Sequence, residues 1–454
     1  MEPIAAIATG TSPTAIGILR LSGEGTDGIL SRVFRPKSGR PLSACEPRRM
    51  IYGDVLDRSG AVIDHGLAVR FPAPGSYTGE DCAELHCHGS PVVLREALNA
   101  LFAAGARQAK AGEFTKRAFL NGKMDLTQAE AVVDLIEAET AAAARNAAAQ
   151  LDGALRRGVE MTYDRLLSLT SRFYAMVDYP DEDIEDLSLP ELTSVLREAE
   201  ETLNHLLSTF ERGVRLKNGA AAAIVGRPNV GKSSLLNALV GYDRAIVTPS
   251  AGTTRDTVEE KAVLGGVLLR LIDTAGIRET GDPIEVLGVA RAKAAAGRAA
   301  LALLVLDGSQ PLTAEDTDAM AAAEAAPMVI ALVNKADLPS ALDLSAVSAR
   351  FPRTVRLSAK TGEGLPDLER EVSALFPAGS TPEGEVLTDA RQQEAVSRAA
   401  EAVSRARQAL DARLTPDAIL TDVEEALSAL GELTGKTARE DMVSRIFERF
   451  CVGK

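Results

Sequence analysis

The stretch Gly226-Arg227-Pro228-Asn229-Val230-Gly231-Lys232-Ser233, with Ser234 just beyond it, has the spacing G-x-x-x-x-G-K-[ST] of a phosphate-binding loop. Glycines at both ends let the backbone turn tightly and bring its N–H groups close to phosphate oxygens. Lys232 supplies a point charge for the β- and γ-phosphates, and the Ser233 hydroxyl is a ligand for Mg²⁺. Four further boxes follow in order: Gly252-Thr253-Thr254-Arg255-Asp256, Asp273-Thr274-Ala275-Gly276, Asn334-Lys335-Ala336-Asp337 and Ser358-Ala359-Lys360. Together they predict a guanine-nucleotide switch that binds and hydrolyses GTP. Thr254 is the second hydroxyl for Mg²⁺, Asp273 the carboxylate after a buried strand, and Gly276 an N–H donor to the γ-phosphate. Asp337 accepts two hydrogen bonds from guanine. Adenine cannot supply that donor pair, so it would leave the carboxylate unpaired. Asn334 and the backbone near Ala359 complete the base pocket.

The surrounding residues predict the fold. Candidate strands at 222–225, 267–272, 301–306, 329–333 and 354–357 alternate with helical stretches between 218 and 376. That pattern indicates a mostly parallel sheet with helices on both sides. Residues before Lys123 read as mixed strands and turns, including Ile16-Gly17-Ile18-Leu19 and Gly66-Leu67-Ala68-Val69. Thr127-Gln128-Ala129-Glu130 reads as a capping box that opens a helix. Helical composition continues to about Arg215, with a break near Asp178-Tyr179-Pro180, and returns after the linker at 376–382. The expected architecture is multidomain: an α+β N-terminal part, an all-α helical domain built from two flanks, and an α/β P-loop GTPase domain inserted between the flanks.

Bulk properties narrow the function. The 454 residues carry a net charge of -14, which argues against broad nonspecific binding to nucleic acid. Cys45, Cys82, Cys87 and Cys451 do not suggest a disulfide scaffold. Neither a signal peptide nor an apolar run long enough to span a membrane is evident, so a soluble cytoplasmic protein is expected. Cys82, His86, Cys87 and His88 match no common zinc spacing, which favours pocket and core roles for them. The acidic run from Asp178 to Asp186 reads as a solvated turn or as a dock for a basic partner.

The hydrolytic machinery departs from the small-GTPase plan. Where a glutamine would orient water after Asp273-Thr274-Ala275-Gly276, this chain has Ile277. Another group must position water, and a cation could stand in for an arginine finger. Asn229 offers a carbonyl oxygen to a monovalent cation, or else serves only as a turn residue.

Over essentially its whole length the chain resembles the tRNA-modification GTPase family MnmE, also called TrmE. The most specific mark is the C-terminus Phe450-Cys451-Val452-Gly453-Lys454. Others are Gly17-Ile18-Leu19-Arg20, the run from Ser76 to Asp81, and Glu113-Phe114 through Asp125-Leu126. The resemblance implies a folate-binding and dimerisation domain at 1–122, a helical domain from 123–215 and 378–454, and an inserted GTPase domain at 216–377. It implies a homodimer that works on tRNA with a flavoprotein, MnmG (GidA), in a heterotetramer or larger complex. Their product carries an aminomethyl or carboxymethylaminomethyl group on C5 of the wobble uridine, its one-carbon unit taken from 5-formyl- or 5,10-methylene-tetrahydrofolate. By the same resemblance Arg20, Glu84, Lys123 and Lys454 contact folate, and Asn229, Thr248, Ser250 and Thr253 hold K⁺. Glu285 orients the hydrolytic water. GTP and K⁺ are then expected to pair two GTPase domains. Cys451 is either a nucleophile or a small residue that docks the tail. Cys87 and Ser90 stand where the family pattern has glycines.

Two other readings share some of these residues. A ribosome-assembly GTPase would carry a basic RNA-binding module, and the Cys-bearing tail would have no role in it. A folate-dependent aminomethyltransferase with a purely regulatory GTPase would transfer its one-carbon unit without GTP.

Overall fold

In the strand Thr14–Ser22, Gly17, Leu19 and Leu21 turn inward while Ile16, Ile18 and Arg20 face the other way. This two-residue period makes it a sheet strand with one face packed and one face more open. The structure, a computed structural model, describes residues 1–10, 12–178, 189–242, 260–272, 285–377, 382–437, 440–448 and 450–453. It divides into two compact units.

The first unit comprises residues 1–133, 148–204 and 394–454. Its seven-stranded sheet has the order β3-β4-β5-β6-β2-β1-β7. The strands are β1 (Ile4–Ile7), β2 (Thr14–Ser22), β3 (Phe34–Pro36), β4 (Ile51–Leu56), β5 (Val62–Phe71), β6 (Cys82–Gly89) and β7 (Arg107–Gln108). Leu19, Leu21, Ala83, Leu85 and Cys87 pack against Leu94, Ala97, Ala100 and Leu101 of the helix Pro91–Ala103. These four helix positions lie on one face at helical spacing.

The same unit holds the long helices Ala154–Asp178 and Pro416–Thr434, which pack on each other. Lys436 sits 4.5 Å from the Tyr163 ring and pairs with Glu160 at 3.4 Å. The end of the chain folds onto the N-terminal part. The rings of Phe447 and Phe450 pack at a tilt, 5.0 Å between centroids, and join Leu126, Ala129 and Val443 in one cluster.

One sequence expectation needs correcting. The helix Leu126–Ile136 is capped by Asp125, not Thr127. The Asp125 carboxylate accepts the Gln128 N–H at 2.8 Å, and the Gln128 side chain accepts the Asp125 N–H at 3.0 Å. Aspartate and glutamine satisfy two orphan amides reciprocally, and Thr127 only braces Asp125 at 2.7 Å.

The second unit comprises residues 134–147 and 205–393. Its six-stranded sheet has the order β13-β12-β11-β8-β10-β9. The strands are β8 (Ala220–Val225), β9 (Glu260–Leu264), β10 (Val267–Ile272), β11 (Leu301–Asp307), β12 (Val329–Asn334) and β13 (Thr354–Arg356). All pairs are parallel except β9 with β10. β11 is buried along its whole length, as expected of a central parallel strand covered by helices on both faces. The C-terminal ends of β8, β11 and β12 lie side by side. In open α/β sheets ligands bind outside such strand ends.

Candidate functional site

The phosphate-binding loop leaves β8 and runs into the helix Lys232–Tyr242, so its amides face the N-terminus of that helix. Val230 is buried, while Asn229, Ser233 and Ser234 are exposed. Asn229 has φ 64°, a left-handed conformation that asparagine tolerates better than most residues. The Lys232 ammonium donates to the Gly226 and Arg227 carbonyls, each at 2.8 Å. Burial, reinforced by the Arg227 charge, pulls its pKa down. The negative charge of a phosphate would offset both by favouring the ammonium form. Arg227 is itself anchored to the buried Asp316 through Nε at 3.0 and 3.1 Å.

The boxes expected to hold the base converge on the same end of the sheet. The Asn334 side chain donates to the Val230 carbonyl at 2.8 Å and accepts the Ala359 N–H at 2.9 Å. A Cβ on Gly231 would lie 2.2 Å from the Asn334 Nδ2, so the approach requires glycine there. Ser358 donates to Asp337 at 2.7 Å, and this bond holds the exposed Asp337 carboxyl below its ordinary pKa. Lys335 adopts φ 65° and donates to Asp307 at 2.6 Å. Asp307 also accepts the Ser309 N–H at 3.0 Å and hydroxyl at 2.6 Å. Asp307 was missed in the sequence; the signal for it is an acid that ends a continuous apolar run and precedes Gly308-Ser309.

Thr248, Ser250, Thr253, Thr254, Asp273, Thr274, Ala275, Gly276 and Ile277 lie outside the described residues. Glu285 begins the helix Glu285–Arg298, and its side chain also lies outside them. Lys360 is exposed beside the base boxes.

The first unit carries a second polar site. Arg20 and Glu84 are paired across β2 and β6, and Arg20 donates to one Glu84 oxygen from Nε at 3.1 Å and Nη2 at 3.0 Å. The Arg20 guanidinium lies 5.3 Å from the Tyr77 ring and 5.9 Å from the Phe114 ring. His86 reaches the other Glu84 oxygen at 3.3 Å. Burial raises the Tyr77 phenol pKa, and its oxygen lies 2.9 Å from the Thr115 hydroxyl. Lys123 donates to the Pro74 carbonyl at 3.1 Å, in the turn that leads to Tyr77. Lys454 lies outside the described residues. Strand alternation separates the candidate zinc ligands, because Cys87 points into the core while Cys82, His86 and His88 lie on the other face of β6. Burial pushes the Cys87 thiol up to about 12. Among the described residues no group of three or more His, Cys, Asp or Glu side chains is arranged to hold a metal.

The C-terminal tail docks beside this site. The Gly112 N–H donates to the Cys451 carbonyl at 3.3 Å, and Ala111 pairs with Val452 as an isolated antiparallel bridge. Gly112 immediately precedes the helix Glu113–Leu120, which carries Phe114. Cys451 is exposed.

The family model described as MnmE helical domain matches residues 126–451, and the model of the GTP-binding protein TrmE N-terminus matches residues 3–123. The chain belongs to the MnmE family of tRNA modification GTPases. It is 43% identical to the tRNA modification GTPase MnmE of Symbiobacterium thermophilum, covering 100% of this chain and 99% of that one. The protein of that name from Roseiflexus sp. is 43% identical, with 100% and 99% covered. That from Chloroflexus aurantiacus is 44% identical, with 100% of both chains covered.

Two departures from the family's glycine pattern can now be placed. Cys87 lies on the opposite face of β6 from Glu84, so its side chain does not enter the Arg20–Glu84 site. Ser90 has φ -75°, which any residue adopts, so nothing in its backbone demands glycine.

Proposed function

We propose that this chain is a GTP-hydrolysing enzyme of tRNA modification that acts on C5 of the wobble uridine. The observation that carries the reading is Asn334 bridging the phosphate loop and the Ala359 amide, within a chain of MnmE type from end to end. GTP binds with its phosphates on the loop from Gly226 to Ser233 and its base against Asp337 and Ala359. Oxygen donors suit Mg²⁺, which Ser233 and Thr254 would hold and which would neutralise phosphate charge. Asn229, Thr248, Ser250 and Thr253 are the proposed K⁺ ligands, and Glu285 orients water in place of Ile277. GTP and K⁺ bring two GTPase domains of a homodimer face to face, where charge is screened from solvent.

The Arg20–Glu84 site is the proposed folate pocket, with Lys123 and Lys454 at its edge and Cys451 at the docked tail. The aromatic rings of Tyr77 and Phe114 offer flat apolar surfaces beside a charged pair, which suits a planar heterocycle with polar edges. A flavoprotein of the MnmG (GidA) type completes the chemistry.

The first test is GTP hydrolysis in K⁺ against Na⁺ at matched ionic strength. Strong selective activation by K⁺ is expected; equal rates would remove the cation mechanism. The second test is tRNA modification with a non-hydrolysable GTP analogue. Full modification without hydrolysis would favour a folate-dependent transferase with only a regulatory GTPase.

A further inference from the structure

The whole chain has 64 acidic and 50 basic residues, but residues 1–123 reverse the balance, with 15 Lys and Arg against 12 Asp and Glu. The surplus is concentrated between β3 and β4. Residues 35–49 hold Arg35, Lys37, Arg40, Arg48 and Arg49 and a single acid, Glu46. β3 is the edge strand of its sheet, and its pairing with β4 pins the two ends of this excursion together. The Lys37 N–H donates to the Tyr52 carbonyl at 3.1 Å. Lys37 therefore lies beside Tyr52 at that edge, and Arg40, Arg48 and Arg49 ride on the segment that joins the two strands.

That edge keeps its positive charge. The alternation of β3 and β4 puts Arg35, Lys37 and Tyr52 on the same face, with Tyr52 55% exposed. Beneath them Asp54 takes Lys37 at 2.5 Å and Arg35 at 3.4 Å, so one carboxylate answers two permanent cations. The Arg49–Glu46 pair at 3.5 Å is largely open to solvent, where such pairs are screened and weak. Arg40 has no ion-pair partner among the described residues.

The edge also leads somewhere. Arg48 has φ 59° and is fixed by its N–H bond to the Arg70 carbonyl at 2.8 Å. Its guanidinium donates to the Gly75 carbonyl at 3.0 Å, next to the Pro74 carbonyl that Lys123 occupies. Two residues further on, the Tyr77 ring stacks with Arg20. The basic edge is thus continuous with the turn that walls the Arg20–Glu84 site.

We infer that this edge docks the RNA substrate. Phosphates lie along Arg35, Lys37, Arg40 and Arg49, a base stacks on Tyr52, and the strand is led past Arg48 to the Arg20–Glu84 site. An exposed tyrosine among guanidinium groups is the combination that unpaired RNA takes, by stacking and by phosphate contact. An acidic protein surface would use the charges but not the ring. The inference rests on the tRNA-modifying function proposed above.

The test uses the full-length protein and a fluorescein-labelled tRNA transcript, with anisotropy read over a series of KCl concentrations. The double variant Arg40→Glu/Arg49→Glu should weaken binding about tenfold or more and flatten the slope of log affinity against log salt by roughly 1 to 2. Tyr52→Ala should weaken binding about fivefold or more and leave the slope unchanged. GTP hydrolysis without tRNA should match wild type in both. If wild type binds tRNA and the variants bind it equally well, the edge is wrong and the function stands, whatever acidic protein the variants cease to bind. If wild type neither binds nor modifies tRNA, the function falls and the inference falls with it.

Discussion

Asn334 donates its side-chain N–H to the Val230 carbonyl at 2.8 Å, joining residues 104 positions apart. The same side chain accepts the Ala359 amide, so one residue ties the phosphate loop to the loop proposed to hold the base. Asn334→Ala would leave a carbonyl and an amide unpaired in a buried place. Losing two such bonds costs about 2 to 3 kcal/mol, or roughly 30- to 150-fold in nucleotide affinity. Titration with a fluorescent GDP analogue reads this directly, and an affinity within threefold of wild type would remove Asn334 from the role assigned to it.

Asp307 holds Lys335 at 2.6 Å on a backbone that lysine rarely adopts. Burial works against the Asp307 charge, but the Lys335 and Ser309 bonds outweigh it and keep its pKa low. Asp307 touches no expected nucleotide atom, so it is a positioning residue. Asp307→Asn should raise KM for GTP and Kd for GDP about tenfold while leaving kcat at saturation unchanged, the signature of lost uniform binding. A fall in kcat with unchanged KM would contradict this reading.

Much of the GTPase unit was legible because its information is local. All five segments expected as strands are strands, and the central ones are continuous apolar runs, as buried parallel strands are. The exception is β9, Glu260–Leu264, an alternating strand that pairs antiparallel with β10. Its signal was present: Gly265-Gly266, with φ 57° and 78°, is a two-residue hairpin turn between two apolar runs. The cap at Asp125 was missed for a similar reason, because Asp-x-x-Gln and Thr-x-x-Glu overlap and only geometry chooses between them. The N-terminal sheet was less legible. Its order brings β6 beside β2, so that Arg20 meets Glu84 across 64 residues, and no local spacing encodes that pairing. Tyr77 and Phe114 join Arg20 for the same nonlocal reason.

Glu113 gives the N-terminal part a defined acid sensitivity. Burial would raise its pKa, but Arg107 at 2.6 Å, the Lys110 amide at 2.9 Å and Arg117 at 3.0 Å hold it at about 2, against 4.5 for a free side chain. The folded-state value is depressed, so the stabilisation is complete above about pH 4.5 and is lost as pH falls toward 2. A shift of this size corresponds to about 3 kcal/mol. Urea unfolding followed by circular dichroism at stepped pH should show Glu113→Gln destabilised at pH 7, with the gap to wild type closing in that acid window. A gap independent of pH would mean that Glu113 acts through packing instead of charge.

Cys451 is placed by its backbone, not its thiol: its carbonyl accepts the Gly112 N–H two residues before Phe114, whose ring lies under Arg20. This separates two roles that one substitution would confuse. Cys451→Ser keeps the backbone bond and removes only the thiol, so a nucleophilic role predicts loss of tRNA modification with GTP hydrolysis intact. Gly112→Ala acts on the docking alone. Gly112 has φ 62°, and a Cβ there would meet the Phe447 carbonyl at 2.6 Å and the Phe450 Cβ at 2.9 Å. The tail must then shift, at a cost of about 1 to 3 kcal/mol for a side chain held in a left-handed conformation. Both variants are expected to lose modification and keep hydrolysis, but only Gly112→Ala should expose the tail to carboxypeptidase. If Cys451→Ser modifies tRNA at the wild-type level while Gly112→Ala does not, the tail matters as a docked strand and the thiol has no chemical part.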